Sequence, residues 1–179
     1  MKTILLAGLA TLCFAASESP VSLASLKAVE ASINDRVRSN LNDPYDLLGP
    51  ARGIYLEGYG AVFTVEMNLV ALSPLSVSPF KSAPSEKELG DLFAHKQRKV
   101  EALKATLREL MTGASKSLQG MPGDERIVME ALFFNYRWEQ TRGLPHRIWL
   151  TATKQKLIDA SNHHASAAEM AALFQEDEQ

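Results

Sequence analysis

The chain has 179 residues, with 19 lysines and arginines against 21 aspartates and glutamates, for a formal charge of −2. Without a basic excess there is no source for the phosphate-neutralising attraction that dominates nucleic-acid affinity, so nucleic-acid binding is not expected. The one cysteine, Cys13, rules out an internal disulfide.

The first residues, MKTILLAGLATLCFAASESP, have the layout of a secretory signal peptide. Lys2 supplies the positive end, Thr3 to Ala16 form a short apolar core, and Ala15 and Ser17 stand third from last and last before a cleavage point after residue 17. Such a leader predicts a bacterial export signal and a periplasmic or secreted mature chain. Leu12 before Cys13 fits lipid attachment poorly, and cleavage leaves no thiol for nucleophilic, metal or iron–sulfur chemistry. No other stretch supplies the roughly 20 apolar residues of a membrane span. About 160 residues remain, one domain's worth. The expected division is a leader at 1–17, a single α+β domain at 18–160, and a short helix with an acidic tail at 161–179.

In residues 22–42, Leu23, Leu26, Val29, Ile33, Val37 and Leu41 recur at steps of three and four. This predicts a helix capped by Ser22 and ended by Asn42-Asp43-Pro44. Next, Ile54 and Leu56 alternate with Tyr55 and Glu57, Gly58-Tyr59-Gly60 intervene, and Phe63, Val65, Met67 and Leu69 resume the alternation. Two strands, 53–57 and 61–70, are expected. The glycines lack the third glycine and following helix of a dinucleotide site, and the Lys-Ser/Thr of a phosphate loop, so they read as a bend with Tyr59 projecting from it.

Residues 71–84 carry three prolines and four serines and read as a long loop. Ser85 and Glu88 form a capping box for a second helix running to about residue 117. On its stripe Lys96 is expected to bury its stem and keep its ammonium in water. The basic residues of HKQRK (95–99), with Lys104 and Arg108, read as a solvated face. Residues 126–139 are apolar in both registers, as in a central strand, and 147–153 alternate as its hairpin partner. A short KQKLID helix follows, Ser166 and Glu169 cap another, and FQEDEQ reads as frayed.

The order helix–strand–strand–helix–strand–strand is a duplicated αββ unit. It predicts an α+β fold in which a four-stranded antiparallel sheet carries two helices on one face, in a cyclically permuted ferredoxin-like order, plus a short C-terminal helix.

No catalytic signature is present. His95, His146, His163 and His164 lack the spacing of a zinc protease and no G-x-S-x-G elbow occurs, so no metal and no cofactor is expected. The candidate binding residues are Asp43, Tyr45, Asp46 and Arg52, in the loop NDPYDLLGPARG, with Glu57 and Tyr59 at the hairpin tip. The function these features favour is a non-catalytic binding or assembly module of the cell envelope, contacting an envelope protein. The alternative is a small exported metal-independent hydrolase with a cleft near Arg52, Glu57 and Tyr59. Self-association into a homodimer through an exposed sheet face, with Trp138 and Trp149 on facing strands, is a further candidate.

Overall fold

The computed structural model describes residues 19–39, 43–71 and 84–179. The leader with Cys13, residues 40–42, and the 71–84 loop apart from its ends lie outside the described residues.

Ser22 accepts a hydrogen bond from the Ser25 amide at 3.0 Å and starts α1, Leu23–Arg38. Its stripe of Leu26, Val29, Ile33 and Val37 is buried as the periodicity predicts, while Leu23 stays exposed. Two polar residues on the same helix reach the sheet. Glu30 accepts from the Gly53 amide at 2.8 Å and from Lys27 at 2.6 Å, and Asn34 accepts from the Ala51 amide at 2.9 Å. Burial opposes the charge on Glu30, but the bonds from Lys27 and Gly53 outweigh it and hold the carboxyl below its usual range.

Four strands make up most of the sheet: β2 (Arg52–Leu56), β3 (Gly60–Asn68), β4 (Arg126–Phe133) and β5 (Arg147–Thr153). A two-residue strand, β1 (Asp46–Leu47), pairs with the far end of β3, and β6 (Gln175–Glu178) adds an edge beside β5. Neither β1 nor β6 is expected from the sequence. The sheet is therefore six-stranded and mixed rather than four-stranded and antiparallel, because β3 and β4 run parallel and directly paired from Gly60↔Arg126 to Met67↔Phe133. A ferredoxin-like arrangement would split this βαβ unit with an intervening strand. The two predicted hairpins, β2–β3 and β4–β5, are both present.

The β3–β4 crossover is α2, Glu86–Ser117, opened by the expected capping box of Ser85 and Glu88. At 1.5 Å per residue this helix is roughly 48 Å long, against roughly 30 Å for β3, so it overhangs the sheet. Over the sheet it buries Leu103, Leu107, Leu110 and Met111, each contributing about 1.5–3 kcal/mol of transfer free energy. These meet Phe63, Val65, Met67, Ile127, Met129, Ile148 and Leu150 in one core with the α1 stripe.

The overhang is covered by loops. Residues beyond β4 fold across it, and Lys96 is not a snorkelling surface lysine: its side chain is 1% exposed and paired with Glu139, also 1% exposed. The ammonium also donates to Asn135 Oδ1 at 2.8 Å. Lys99 and Lys104 are buried as well, so the basic run on α2 is largely an anchoring face rather than a solvated one. Trp138 lies in this covering segment, stacked on Tyr136 at 5.5 Å, and not on a strand facing Trp149.

The expected short helices are α3 (Lys154–Asn162) and α4 (Ala167–Ala171), the latter with a capping box of Ser166 and Glu169. The acidic end is ordered into β6 instead of fraying. Glu176 pairs with Arg108, and Glu178 pairs with Lys104, so α2 supplies the attraction that this charged strand lacks in propensity. Burial opposes the charge on Lys104, but Glu178 and Glu101 outweigh it and raise its pKa.

Candidate functional site

The β2–β3 hairpin sets which residues face outward. Leu56 pairs with Gly60 across the 57–59 turn, so Tyr55 lies opposite Ala61 on the core side. Gly58 and Gly60 have φ of +78° and +134°, and a Cβ on Gly60 would sit 1.9 Å from the Arg126 carbonyl oxygen. The bend thus needs glycine for its backbone angle and for the close approach of β4. Tyr55 donates to Glu125 at 3.1 Å, and Glu125 also accepts from the Gly58 amide at 2.8 Å, which ties the turn to the loop before β4. Burial and the Glu125 hydrogen bond push Tyr55 up to about 12.

This register inverts the apparent alternation of β2. Ile54 and Leu56 remain 54% and 45% exposed, although they are its large aliphatic residues. A shift of one residue exchanges the two faces of a strand, and here the turn decides the phase.

The six candidate residues separate into different surroundings. Asp43 and Tyr45 clamp the α2 overhang. Lys99 donates to the Asp43 and Pro44 carbonyls and to Asp43 Oδ1 at 2.8–2.9 Å, and lies 4.1 Å from the Tyr45 ring centroid. Tyr45 returns a bond to the Lys99 carbonyl at 3.2 Å, and His95 Nε2 pairs with Asp43 Oδ2 at 2.9 Å. Burial opposes ionisation of Asp43, but His95 and Lys99 prevail and lower its pKa. Tyr45 is raised to about 12 by burial and by the Asp43 charge. His95 and Asp43 have the form of a base and its orienting carboxylate, but His95 makes no bond to a hydroxyl among the described residues.

Asp46 is exposed on β1 opposite Asn68, whereas Glu57 and Tyr59 are exposed beside Gly60. Eight residues of β3 separate these ends, roughly 26 Å. Arg52 stands opposite Thr64, roughly 13 Å along β3 from the turn, and lines a cleft of about 210 Å³ with Thr64 and Glu66. Arg52, Glu57 and Tyr59 therefore do not converge on one point.

A further surface feature is the face of the sheet turned away from α1 and α2. One cross-strand row reads Ile54, Val62, Val128, Thr151 and Gln175, and the next reads Arg52, Thr64, Glu130, Trp149 and Asp177. Val128 is fully buried yet lies outside the main core cluster. Arg147 carries the polar corner: it lies 3.5 Å from Glu130 and 3.9 Å from Asp177, with its guanidinium 5.8 Å from the Trp149 ring. An apolar patch of Ile54, Leu56 and half-buried Val62 thus shares the face with paired charges and an indole.

No protein-family model, curated protein or solved structure matches this chain. The arrangement of the open face is therefore the basis for a functional reading. Its aliphatic row and paired-charge border can exclude water from a flat partner and orient it. Among the described residues it presents no nucleophile bonded to a base. Among the described residues no group of three or more metal-ligating side chains occurs, and no helix is long and apolar enough to cross a membrane. The sequence signal for this face was the apolarity of 126–139 in both registers. Val128 lies on the second register, and the strand pairing places Val62 and Ile54 beside it.

Proposed function

We propose that this protein is an exported, non-catalytic binding or assembly module of the cell envelope, and that the open sheet face docks another envelope protein. The carrying observation is the exposure of Ile54 and Leu56 on the face turned away from α1 and α2, with Val62 beside Ile54. A centre of aliphatic side chains with a polar rim is the usual anatomy of a protein interface. Export is supported by the leader pattern of residues 1–17.

Site-specific photocrosslinking in the native envelope tests this. A crosslinker at Ile54 or Val62 is expected to capture one defined protein, whereas one at exposed Lys87 on α2 is not. Equal capture from both positions, or none from either, overturns the docking role. A product containing only this chain replaces the partner with a second copy.

A further inference from the structure

Where β6 begins, the outer edge of β5 borders a cleft of about 300 Å³. Chain order explains its existence. β5 and β6 pair only from Ile148↔Glu178 to Thr151↔Gln175, and Phe174 then turns into the core. Ala152 and Thr153, paired with β4 on their inner side, therefore have no β6 residue opposite them, and the space is bounded by the start of α3 and by the 172–175 segment.

The lining carries two cations and no carboxylate. Arg126 and Lys156 contribute the charges, and neither has an acidic partner among the described residues. Hydroxyls and an amide complete the polar wall. Thr151 Oγ1 is buried without a hydrogen-bond partner, and Thr153, at the N-cap of α3, makes no capping bond with its side chain. Gln175 faces Thr151 across the strand pair. A buried hydroxyl without a partner is costly unless something supplies one. Here it borders the same cleft as two uncompensated positive charges.

We propose that this cleft is a binding site for the phosphate group of a small phosphate monoester. Arg126 and Lys156 supply the counter-charge, and Thr151, Thr153 and Gln175 donate hydrogen bonds. Two cations without an acid match a group carrying about −1.5 to −2 charges at neutral pH better than they match a monocarboxylate. Arginine suits phosphate because its guanidinium presents parallel donors, and lysine adds a point charge. The volume lies at the lower end of ligand pockets, enough for the phosphate and a small organic remainder against Ala172 and Leu173. Thr151 and Gln175 continue the cross-strand row of Ile54 and Val62, but the site uses neither of those side chains, so it is tested independently of the docking role.

The test is a titration of isotopically labelled protein with glycerol phosphate, followed by amide chemical shifts, with inorganic phosphate and acetate as parallel arms. Saturable shifts are expected at Arg126, Thr151, Thr153, Lys156 and Gln175, with acetate binding at least tenfold more weakly. Arg126→Gln and Lys156→Gln are each expected to weaken glycerol phosphate by about tenfold or more, the loss typical of one charged hydrogen bond. Thr151→Val keeps the shape and is expected to weaken it severalfold. Spectra unchanged outside the cleft show that a variant is folded, and Lys156, being exposed, provides a variant independent of strand packing. The proposal is overturned if glycerol phosphate causes no saturable shift at these residues, if acetate binds as well, or if the Lys156→Gln protein binds it unchanged.

Discussion

The buried pair Lys96–Glu139 makes a strong stability prediction. Both side chains are 1% exposed, Asn135 Oδ1 is the other acceptor for the ammonium at 2.8 Å, and Glu139 Oε1 has no partner. Taking two charges out of water is expensive, and their attraction returns only part of that cost. Removing one member leaves the other as an uncompensated buried charge. Lys96→Met and Glu139→Gln are each expected to lose about 3–5 kcal/mol. That is a large part of the roughly 5–15 kcal/mol that stabilises an ordinary domain. Replacing both partners with apolar residues, as Lys96→Met with Glu139→Leu, removes both desolvation terms and is expected to cost less than either single change. Urea denaturation followed by circular dichroism gives the four free energies of the cycle, with Glu139→Leu completing it. Single losses below about 1 kcal/mol would show that water reaches the pair. A double variant whose loss equals the sum of the singles would refute the coupling itself.

Three other expectations concern local features. Gly60→Ala forces a side chain onto the Arg126 carbonyl at a φ of +134°, and thermal unfolding is expected to show a loss of roughly 3 kcal/mol or more; a shift within experimental error would mean the turn relaxes freely. The folded-state pKa of Asp43 lies below the 3.8 of an unperturbed aspartate, so its stabilising contribution is complete above that value and is lost as pH falls through the folded one. Asp43→Asn is therefore expected to flatten the acid limb of a stability–pH profile, and an unaltered acid limb would contradict this. Replacing Glu176 and Glu178 with glutamine is expected to speed hydrogen exchange at the β5–β6 ladder without changing that of β3 and β4; equal exchange in the wild-type ladder would mean the ion pairs do not hold β6.

Much of the architecture follows from local patterns, because capping and periodicity act over a few neighbouring residues. Ser22, Ser85 and Ser166 each start a helix as their sequences predict, and the stripes on α1 and α2 are the faces that become buried. Both hairpins are legible from alternation and turn chemistry. The candidate residues were a different matter. Asp43 and Tyr45 do engage other groups, but their partners are Lys99 and His95, more than fifty positions away, and the contacts clamp a helix.

The sequence by itself determined the helix starts, the glycine bend, the α+β composition and the apolar runs that build the core. Each depends on the backbone preference of a residue or on spacing within one element. Tertiary structure decided three further points. The direct pairing of β3 with β4 made the sheet mixed, a choice that depends on contacts across a crossover helix. The hairpin register turned Ile54 and Leu56 outward, since hydrogen bonds between strands fix a phase that alternation leaves open. Charges distant in sequence placed Lys96 in the interior and paired β6 with its neighbour, because the counter-charge that permits such burial exists only once the chain has folded.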